Sequence, residues 1–304
     1  MGRPDASRIV DRESEAEVFA SMLRFQTSRR VMLVSDKRGR GKTDLLRKLR
    51  YQCEYVFDPP VPVAMFDFEA NGVTAEIDII DHLAEQLFAA DVPVELPHYD
   101  ALSQARLEGK AGQFVSAWTS ARGSIDLSGA HLSGEAQAAG IINNYTVESG
   151  GTLVLPDWND GFDRRARQLC QEAFFSDLLR ATRAQPIVLL FDTVNAADDV
   201  MRRWLLRDLM KRRLLTGWQD HRLLTIVAGT DVDDLVKPLN GPLLDGLEPL
   251  ASLTGWESQH VRAFLLAHGY ADLSDEDIDV VRVAIASGWS LVNALQVAAI
   301  KAPA

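Results

Sequence analysis

Continuous apolar runs alternate with segments of helical periodicity along the first 250 residues of this 304-residue chain. Four runs are apolar enough to lie inside a sheet, over residues 31–34, 61–68, 186–192 and 223–229. Helices are predicted before, between and after these runs, where apolar residues recur at helical spacing. The segments are 9–24, from 42 to before Pro59, 75–89, 162–182 and 198–215. Strands that alternate with helices predict a parallel, three-layer α/β sheet.

Two regions depart from this alternation. Glycines recur over residues 91–161, where short apolar pieces are separated by turn signals, so we predict an insertion of small hairpins or a mobile excursion. We interpret it as a partner-facing or self-associating surface, or alternatively as a decoration that covers one edge of the sheet; its apolar anchors would be Trp118, Ile125, Ile141, Tyr145 and Trp158. Residues 251–304 carry helical patterns only, over 256–268, 275–287 and 291–300, with Ser274 and Asp277 as a helix-start signature. The predicted domains are therefore an α/β domain over 1–250, which contains the insertion at about 91–161, and a helical lid over 251–304.

Composition and charge narrow the class of protein. A hydrophobic content of 47% supports a substantial core, and the net charge of −11 disfavours non-specific binding to nucleic-acid phosphates. Cys53 and Cys170 have no metal-ligand spacing, which indicates a reducing compartment. The N-terminal residues lack an apolar signal core, and no run approaches a membrane span. We therefore expect a cytoplasmic protein that does not bind a membrane.

The candidate chemistry begins after the first strand, where a polar, glycine-bearing loop over 35–41 leads into a helix at Lys42. Backbone N–H groups at a helix N-terminus favour an anion, and Gly41-Lys42-Thr43 would add a close backbone approach, a cation for the β and γ phosphates and a hydroxyl for Mg²⁺. The predicted phosphate-binding residues are Asp36, Lys37, Arg38, Gly39, Arg40, Gly41, Lys42, Thr43 and Asp44. Asp36 stands where the G-x-x-x-x-G-K-[ST] pattern has its first glycine, and Gly39 retains some flexibility in the loop. The alternative is a basic surface turn that contains GKT by chance.

A second candidate is the carboxylate of Asp192, which ends the apolar run PIVLLFD. The ends of parallel strands meet the phosphate loop, so an acid there reaches the Mg²⁺ shell. We predict that Thr43 and Asp192 bind the metal and that ATP or ADP with Mg²⁺ is the ligand.

The order of these motifs resembles that of the STAND NTPases, the signal-transduction branch of the AAA+ ATPases with a P-loop. The resembling segments are the GRxxE-like element at 11–15 that contains Arg12, the phosphate loop SDKRGRGKT, the Walker B run LLFDT, a sensor 1 strand at 225–230 that ends at Thr230, a hinge at 247–250, and a GxP-like motif at 288–291 that contains Trp289 and Ser290. The resemblance implies that Arg12 lies near the adenine and that Thr230, Trp289 and Ser290 contact the nucleotide.

Departures from the family pattern concern catalysis. Family members with D-T-x-E in Walker B have an acid where this chain has Asn195, and the second acid after Asp192 is Thr193. An amide cannot accept the proton of the attacking water as a carboxylate does. Sensor 1 ends in Thr230 instead of arginine, and the GxP proline is Ser290. Asp192 and Asn195 occupy the catalytic positions of the pattern. Asp198 or Asp199 could substitute for the missing base, but acids at the start of the following helix are better explained by its dipole.

Three hypotheses about function follow from these observations. The first is an ATP- or ADP-binding regulatory switch with slow or absent hydrolysis, which acts on a protein partner or effector on a separate chain, with a homo-oligomer left open. The second is an active Mg²⁺-dependent AAA+ ATPase acting on DNA or protein; nucleic acid is not the favoured partner. The third is a scaffold that has lost nucleotide binding. A basic helix at 198–215 is interpreted as a solvated face, with nucleic-acid contact or an arginine for a neighbouring subunit as alternatives.

Overall fold

The computed structural model describes residues 12–38, 40–72, 75–121, 158–214, 221–232, 234, 237, 239, 241–250, 253, 257–267, 270, 273–286 and 294. The strands are β1 (Val31–Ser35), β2 (Val63–Asp67), β3 (Ile187–Asp192), β4 (Leu223–Gly229) and β5 (Leu247–Leu250). The α-helices are α1 (Glu13–Leu23), α2 (Lys42–Tyr51), α3 (Phe68–Asn71), α4 (Glu76–Phe88), α5 (Pro97–Leu107), α6 (Ala111–Ala121), α7 (Asp160–Ala181), α8 (Asp199–Arg203), α9 (Ser258–Ala267) and α10 (Asp275–Ala286). Helices α2 and α8 continue as π-helices over Gln52–Val56 and Trp204–Leu214, and 3-10 turns cover Val194–Ala196 and Gly241–Gly246.

The five strands form one parallel sheet in the order β2-β3-β4-β1-β5. Helices cover both faces, and the fold class predicted from the sequence, a three-layer α/β sheet, is confirmed. Because every strand runs in the same direction, the carboxyl ends of all five meet at one edge. That edge receives Ser35, Asp67, Asp192 and Gly229 from four different strands.

Two apolar clusters lie on opposite faces of the sheet. One face packs against α1 and α2 through residues that include Met32, Val34, Leu45, Leu46 and Leu190. The other packs against the helices from α4 to α8 through residues that include Leu33, Phe66, Leu83, Phe174 and Phe191. Alternate residues of each strand enter alternate clusters, as the two-residue period of a strand requires. The continuous apolar runs in the sequence follow from this burial on both sides.

The fifth strand corrects the sequence interpretation, which had four strands and a hinge at 247–250. Leu247–Leu250 pairs in parallel with β1 at the edge of the sheet. Pro249 is tolerated there because an edge strand leaves one row of backbone groups without a ladder partner. Arg29 and Glu248 form an ion pair between the start of β1 and this strand.

The insertion also differs from the prediction of hairpins or a mobile excursion. Residues 97–121 form helices α5 and α6, which pack against each other and, through α5, against α7. Gly109 has φ +64 and lies between the two helices, so this glycine marks a helix end rather than a long loop. Trp118, interpreted as a surface anchor, is buried in the main core at 1% exposure. Residues 122–157, which contain Ile125, Ile141 and Tyr145, lie outside the described residues.

Beyond β5, helices α9 and α10 share a small apolar cluster of their own. It contains Val261, Leu265, Ile278, Val281 and Ala294. Ser274 and Asp277 form the capping arrangement predicted from the sequence, since Asp277 N–H donates to Ser274 Oγ at 3.1 Å and Ser274 N–H donates to Asp277 Oδ2 at 3.1 Å. The domain boundary at 250 stays a prediction. Within the described ranges, no helix is both long and apolar enough to cross a membrane.

The basic helix begins as predicted, with Asp198 as its N-cap. Asp198 Oδ1 accepts a hydrogen bond from Met201 N–H at 2.8 Å. Arg202 donates to the Asn195 carbonyl and Arg203 to the Asp199 carbonyl, so both guanidinium groups bind the surrounding backbone. The side chains of Lys211, Arg212 and Arg213 lie outside the described part.

Candidate functional site

The loop between β1 and α2 ends in a glycine turn at the start of a helix. Gly41 precedes the first turn of α2 and has φ +78, a left-handed conformation that strains any residue with a Cβ. A Cβ at this position would also lie 3.3 Å from Arg12 Nη2. The N-terminal N–H groups of α2 therefore begin directly after a glycine turn, as in the predicted strand, loop and helix. Gly39 lies outside the described residues.

Lys42 bends back over its own loop. Its ammonium donates to the carbonyl oxygens of Asp36 at 2.6 Å and Lys37 at 2.8 Å. Burial lowers the pKa of Lys42, while the negative charges of Asp36, Asp192 and Asp231 act in the opposite direction. The Lys42 ammonium therefore lies at the N-terminus of a helix, which favours an anion. A bound phosphate would accept hydrogen bonds from the ammonium in place of, or in addition to, the two carbonyl oxygens.

Asp192 is the most deeply buried acid at this edge of the sheet, with 1% exposure. Its Oδ1 accepts a hydrogen bond from Thr193 N–H at 2.8 Å. Burial raises the pKa of Asp192, whereas the Thr43 hydroxyl and the Thr193 N–H lower it. Within the described residues Asp192 Oδ2 has no partner in hydrogen-bond geometry, so the Thr43 hydroxyl lies near the carboxylate without satisfying it. A buried oxygen of this kind calls for a ligand.

The backbone after Asp192 turns sharply. Thr193 has φ +53, which is uncommon for a β-branched residue and costs on the order of 1–3 kcal/mol. This conformation allows the Thr193 N–H to fold back onto Asp192 Oδ1. The strained residue fixes the orientation of the acid at the strand end.

Asp36, the departure from the glycine pattern, accepts hydrogen bonds from two backbone N–H groups through its carboxylate. Oδ1 accepts Lys37 N–H at 2.6 Å, and Oδ2 accepts Leu253 N–H at 3.0 Å. The Arg40 guanidinium lies 4.0 Å from Oδ1. Asp36 therefore joins the phosphate loop to the segment that follows β5, a contact that glycine cannot make.

Arg12 lies against the phosphate loop. Its side chain is 2% exposed, its Nη2 donates to the Arg40 carbonyl at 2.8 Å, and its Nη1 lies 3.8 Å from Glu15. Arg12 thus supports the loop backbone from α1, beside Gly41. Its predicted contact with adenine stays a prediction.

Asn195 bridges two strand ends. Its Oδ1 accepts Thr230 N–H at 3.3 Å, just beyond β4. Gly229 permits this approach because a Cβ there would lie 3.4 Å from Asn195 Oδ1 and 2.9 Å from Val232 Cγ2. The Thr230 carbonyl accepts a hydrogen bond from Ser35 Oγ at 3.4 Å. Asn195 and Thr230 therefore link β3, β4 and β1 at the edge of the sheet, and the amide oxygen is already engaged.

The remaining predicted residues of the site lie at the exposed rim of the loop or outside the described residues. Arg38 lies 3.6 Å from Glu69, and Asp44 pairs with Arg47 at 3.3 Å, both at exposed positions beside the loop. The Lys37 carbonyl, not its exposed ammonium, takes part in the contact with Lys42. Trp289 and Ser290 lie outside the described residues.

Two acids at this edge escaped the sequence analysis. Asp67 ends β2 and is paired in register with Asp192, whose pKa it helps to raise through its negative charge. Asp231 follows β4, and its charge acts on Lys42. Each acid lies at or just beyond the end of an apolar run, and the ends of parallel strands meet at one edge of the sheet. That position is the signal by which the sequence could have identified them.

The residues fit a nucleotide with Mg²⁺ rather than a metal held by protein alone. Across the described ranges, no three His, Cys, Asp or Glu side chains are grouped so as to hold a metal ion. Mg²⁺ in proteins is commonly bound through one or two carboxylates together with substrate phosphates and water. The Asp192 carboxylate, the Thr43 hydroxyl and the phosphate loop supply that donor set.

Comparisons with known proteins add little to this geometry. No protein-family model and no curated protein matches the chain. Among solved structures, the chain is similar to Cdc6p from Pyrobaculum aerophilum, with 10% identity, a TM-score of 0.41 and coverage of 89% of this chain and 54% of that one. It is also similar to the Orc1 protein of Aeropyrum pernix in complex with DNA, with 14% identity, a TM-score of 0.41 and coverage of 95% and 56%. The chain spans just over half the length of each, and the fold class rests on its own strand order and register.

Proposed function

We propose that this chain binds ATP or ADP with Mg²⁺ and acts as a regulatory switch with slow hydrolysis, as the STAND-like AAA+ motif order suggests. One observation carries the nucleotide site. Lys42, Thr43 and Asp192 meet at the carboxyl edge of the sheet, around a buried Asp192 oxygen without a hydrogen-bond partner among the described residues. Lys42 would bind the phosphates, and Thr43 with Asp192 would hold Mg²⁺, which supplies charge neutralisation at the phosphates.

Slow turnover is supported by the residues that follow Asp192. Thr193 cannot accept a proton, and Asn195 uses its amide oxygen to bind Thr230 N–H. A general base contributes typically ~10² to 10⁴-fold to a rate. A site that lacks the usual base therefore favours retention of the nucleotide over rapid turnover.

The switch is supported by the contact between the phosphate loop and the segment after β5. Asp36 Oδ2 accepts Leu253 N–H, and Leu253 is buried in the cluster that also contains α2. Helices α9 and α10 follow Leu253 in the chain, so a change in the loop has a direct path to the proposed lid domain over 251–304. A ligand shifts such an equilibrium only by its differential affinity for the two states.

The proposed output is control of assembly or of a protein effector on a separate chain. The Aeropyrum pernix Orc1 protein is in complex with DNA, and an active ATPase acting on DNA or protein is the competing function. A net charge of −11 favours the protein partner, since sequence-independent DNA binding relies on a basic surface.

Turnover separates the two functions. We expect the purified protein to bind ATP and to hydrolyse it well below the ~10 per second typical of enzymes. The measurement is steady-state release of phosphate at saturating ATP and Mg²⁺, with and without DNA. A rate at or above the typical value, or strong stimulation by DNA, would establish the active ATPase instead.

Closure of the proposed lid domain is expected to be larger with ATP than with ADP and to require Asp36. Cys53 and Cys170 are buried and their pKa values are raised by burial, so introduced cysteines are selectively labelled. A dye pair at Val56→Cys and Leu266→Cys, both exposed positions, reports the distance between α2 and α9 by energy transfer.

The matched variant is Asp36→Ala, which removes the acceptor of Leu253 N–H. We expect it to bind nucleotide but to show a smaller difference between the ATP and ADP states. Equal transfer efficiencies for the apo, ADP and ATP forms of the wild type would contradict the switch.

A further inference from the structure

Asp67 and Asp192 are neighbours on adjacent strands of the sheet. The two residues are paired in the register of β2 and β3, and paired residues of neighbouring parallel strands lie about 5 Å apart. Both strands end at these residues. The pairing is invisible in the sequence, where 125 positions separate the two acids.

Both acids are on the face of the sheet that α2 covers. Leu190 belongs to the apolar cluster that contains Leu45 and Leu46 of α2, and the partly buried Met65 packs against the same cluster. Asp67 and Asp192 follow Met65 and Leu190 by two positions, and side chains two apart in a strand share a face. The negative charge of Asp67 acts on Asp192. Asp67 is therefore directed toward the helix that begins with Lys42 and Thr43.

A second observation suggests that Asp67 and Asp192 bind a ligand. Asp192 is 1% exposed, and its Oδ2 has no hydrogen-bond partner in the described part of the chain. Two adjacent carboxylates are costly unless a cation or a proton separates their charges. With Asp192 assigned to the metal by its burial and by Thr43, Asp67 is the neighbouring carboxylate that remains for proton transfer.

We propose that Asp67 is the general base of slow ATP hydrolysis in this chain, in place of the acid that is missing at Thr193 and Asn195. This inference rests on the proposed nucleotide site. A water oxygen forms a bond to the γ-phosphorus, and the bond from that phosphorus to the β–γ bridging oxygen breaks. Asp67 takes the proton of the attacking water, and ADP and inorganic phosphate leave.

The local structure identifies the oxygen that takes the proton. Asp67 is the N-cap of α3, and its Oδ1 accepts both Glu69 N–H at 2.9 Å and Ala70 N–H at 3.3 Å. The cap leaves Oδ2 for the water. Two backbone N–H groups thus hold Oδ1 in place.

Asp67→Asn is a sharp test because asparagine caps a helix about as well as aspartate, so α3 keeps its cap while the proton acceptor is lost. Asp198→Asn is the matched control. Asp198 is also an N-cap, it follows β3, and it is the acid that the sequence suggested as a substitute base. Three readouts are compared for wild type and both variants: the thermal transition, calorimetric binding of ATP with Mg²⁺, and single-turnover hydrolysis of radiolabelled ATP.

We expect Asp67→Asn to keep the wild-type transition and ATP affinity and to lose roughly 100-fold or more in the hydrolysis step. Asp198→Asn should leave every readout unchanged. A wild-type rate in Asp67→Asn, or a wild type that binds ATP and never hydrolyses it, would overturn the role of Asp67. Absence of ATP binding by the wild type would instead overturn the proposed nucleotide site.

Discussion

Replacing Lys42 with alanine is expected to weaken ATP binding by about tenfold to ~150-fold, because charge-assisted hydrogen bonds are worth ~1.5–3 kcal/mol. The ammonium binds the carbonyls of Asp36 and Lys37, at the first turn of α2. A phosphate there would gain the cation as well as the helix N-terminus. The measurement is the dissociation constant from calorimetric titration of ATP with Mg²⁺.

Lys37→Ala is the matched control for this prediction. Lys37 lies in the same loop and carries the same charge, but its side chain is exposed and only its carbonyl contacts Lys42. Removing its ammonium should change affinity far less than removing that of Lys42. Equal losses in the two variants would mean that the loop attracts nucleotide only by its overall charge.

Arg12→Ala is expected to lower the free energy of unfolding of the apo protein by about 3 kcal/mol or more, since breaking a buried ion pair typically costs 3–5 kcal/mol. The Arg12 and Glu15 side chains are 2% and 6% exposed, and Arg12 also donates to the Arg40 carbonyl. Urea unfolding measures the loss. ATP affinity should fall as well, because the substitution removes a support of the phosphate loop.

Two further variants identify the cause of this destabilisation. Arg24→Ala removes an exposed arginine just after α1 and should change stability by no more than ~0.5 kcal/mol. Arg12→Ala combined with Glu15→Gln should recover part of the loss, because the second change removes the buried charge left behind. If the double variant is as unstable as the sum of the single changes, the ion pair is not the source.

The sequence predicted the elements whose signals are local. The strand before the phosphate loop, the helix after Gly41 and the strand ending at Asp192 were each recognisable because a strand buried on both faces is apolar throughout. The run over 223–229 matches β4 in both bounds. The cap formed by Ser274 and Asp277 was equally visible, since both partners lie within one helical turn.

Elements that depend on distant residues were missed. Leu247–Leu250 is short and contains Pro249, and only its pairing with β1 makes it a strand. Trp118 was placed on the surface because glycines obscured helices α5 and α6, whose burial against α7 is tertiary. Asp67 gains its significance from the register with Asp192, which no local pattern contains.

The sequence indicated which residues form the candidate site, but not the hydrogen bonds that they make. Lys42, Thr43 and Asp192 come together as expected at the edge of the sheet. The contact of Arg12 with the Arg40 carbonyl and the contact of Asp36 with Leu253 cross 28 and 217 positions of the chain. Such non-local bonds explain why a departure from the glycine pattern at Asp36 is compatible with an intact loop.

The most direct test of nucleotide binding is calorimetric titration of the wild-type protein, freed of any co-purified nucleotide, with ATP and with ADP in the presence and absence of Mg²⁺. We predict saturable binding of one nucleotide per chain, tighter with Mg²⁺ because Thr43 and Asp192 then gain their ligand. Absence of saturable heat with either nucleotide, confirmed by an unchanged thermal transition, would contradict the account.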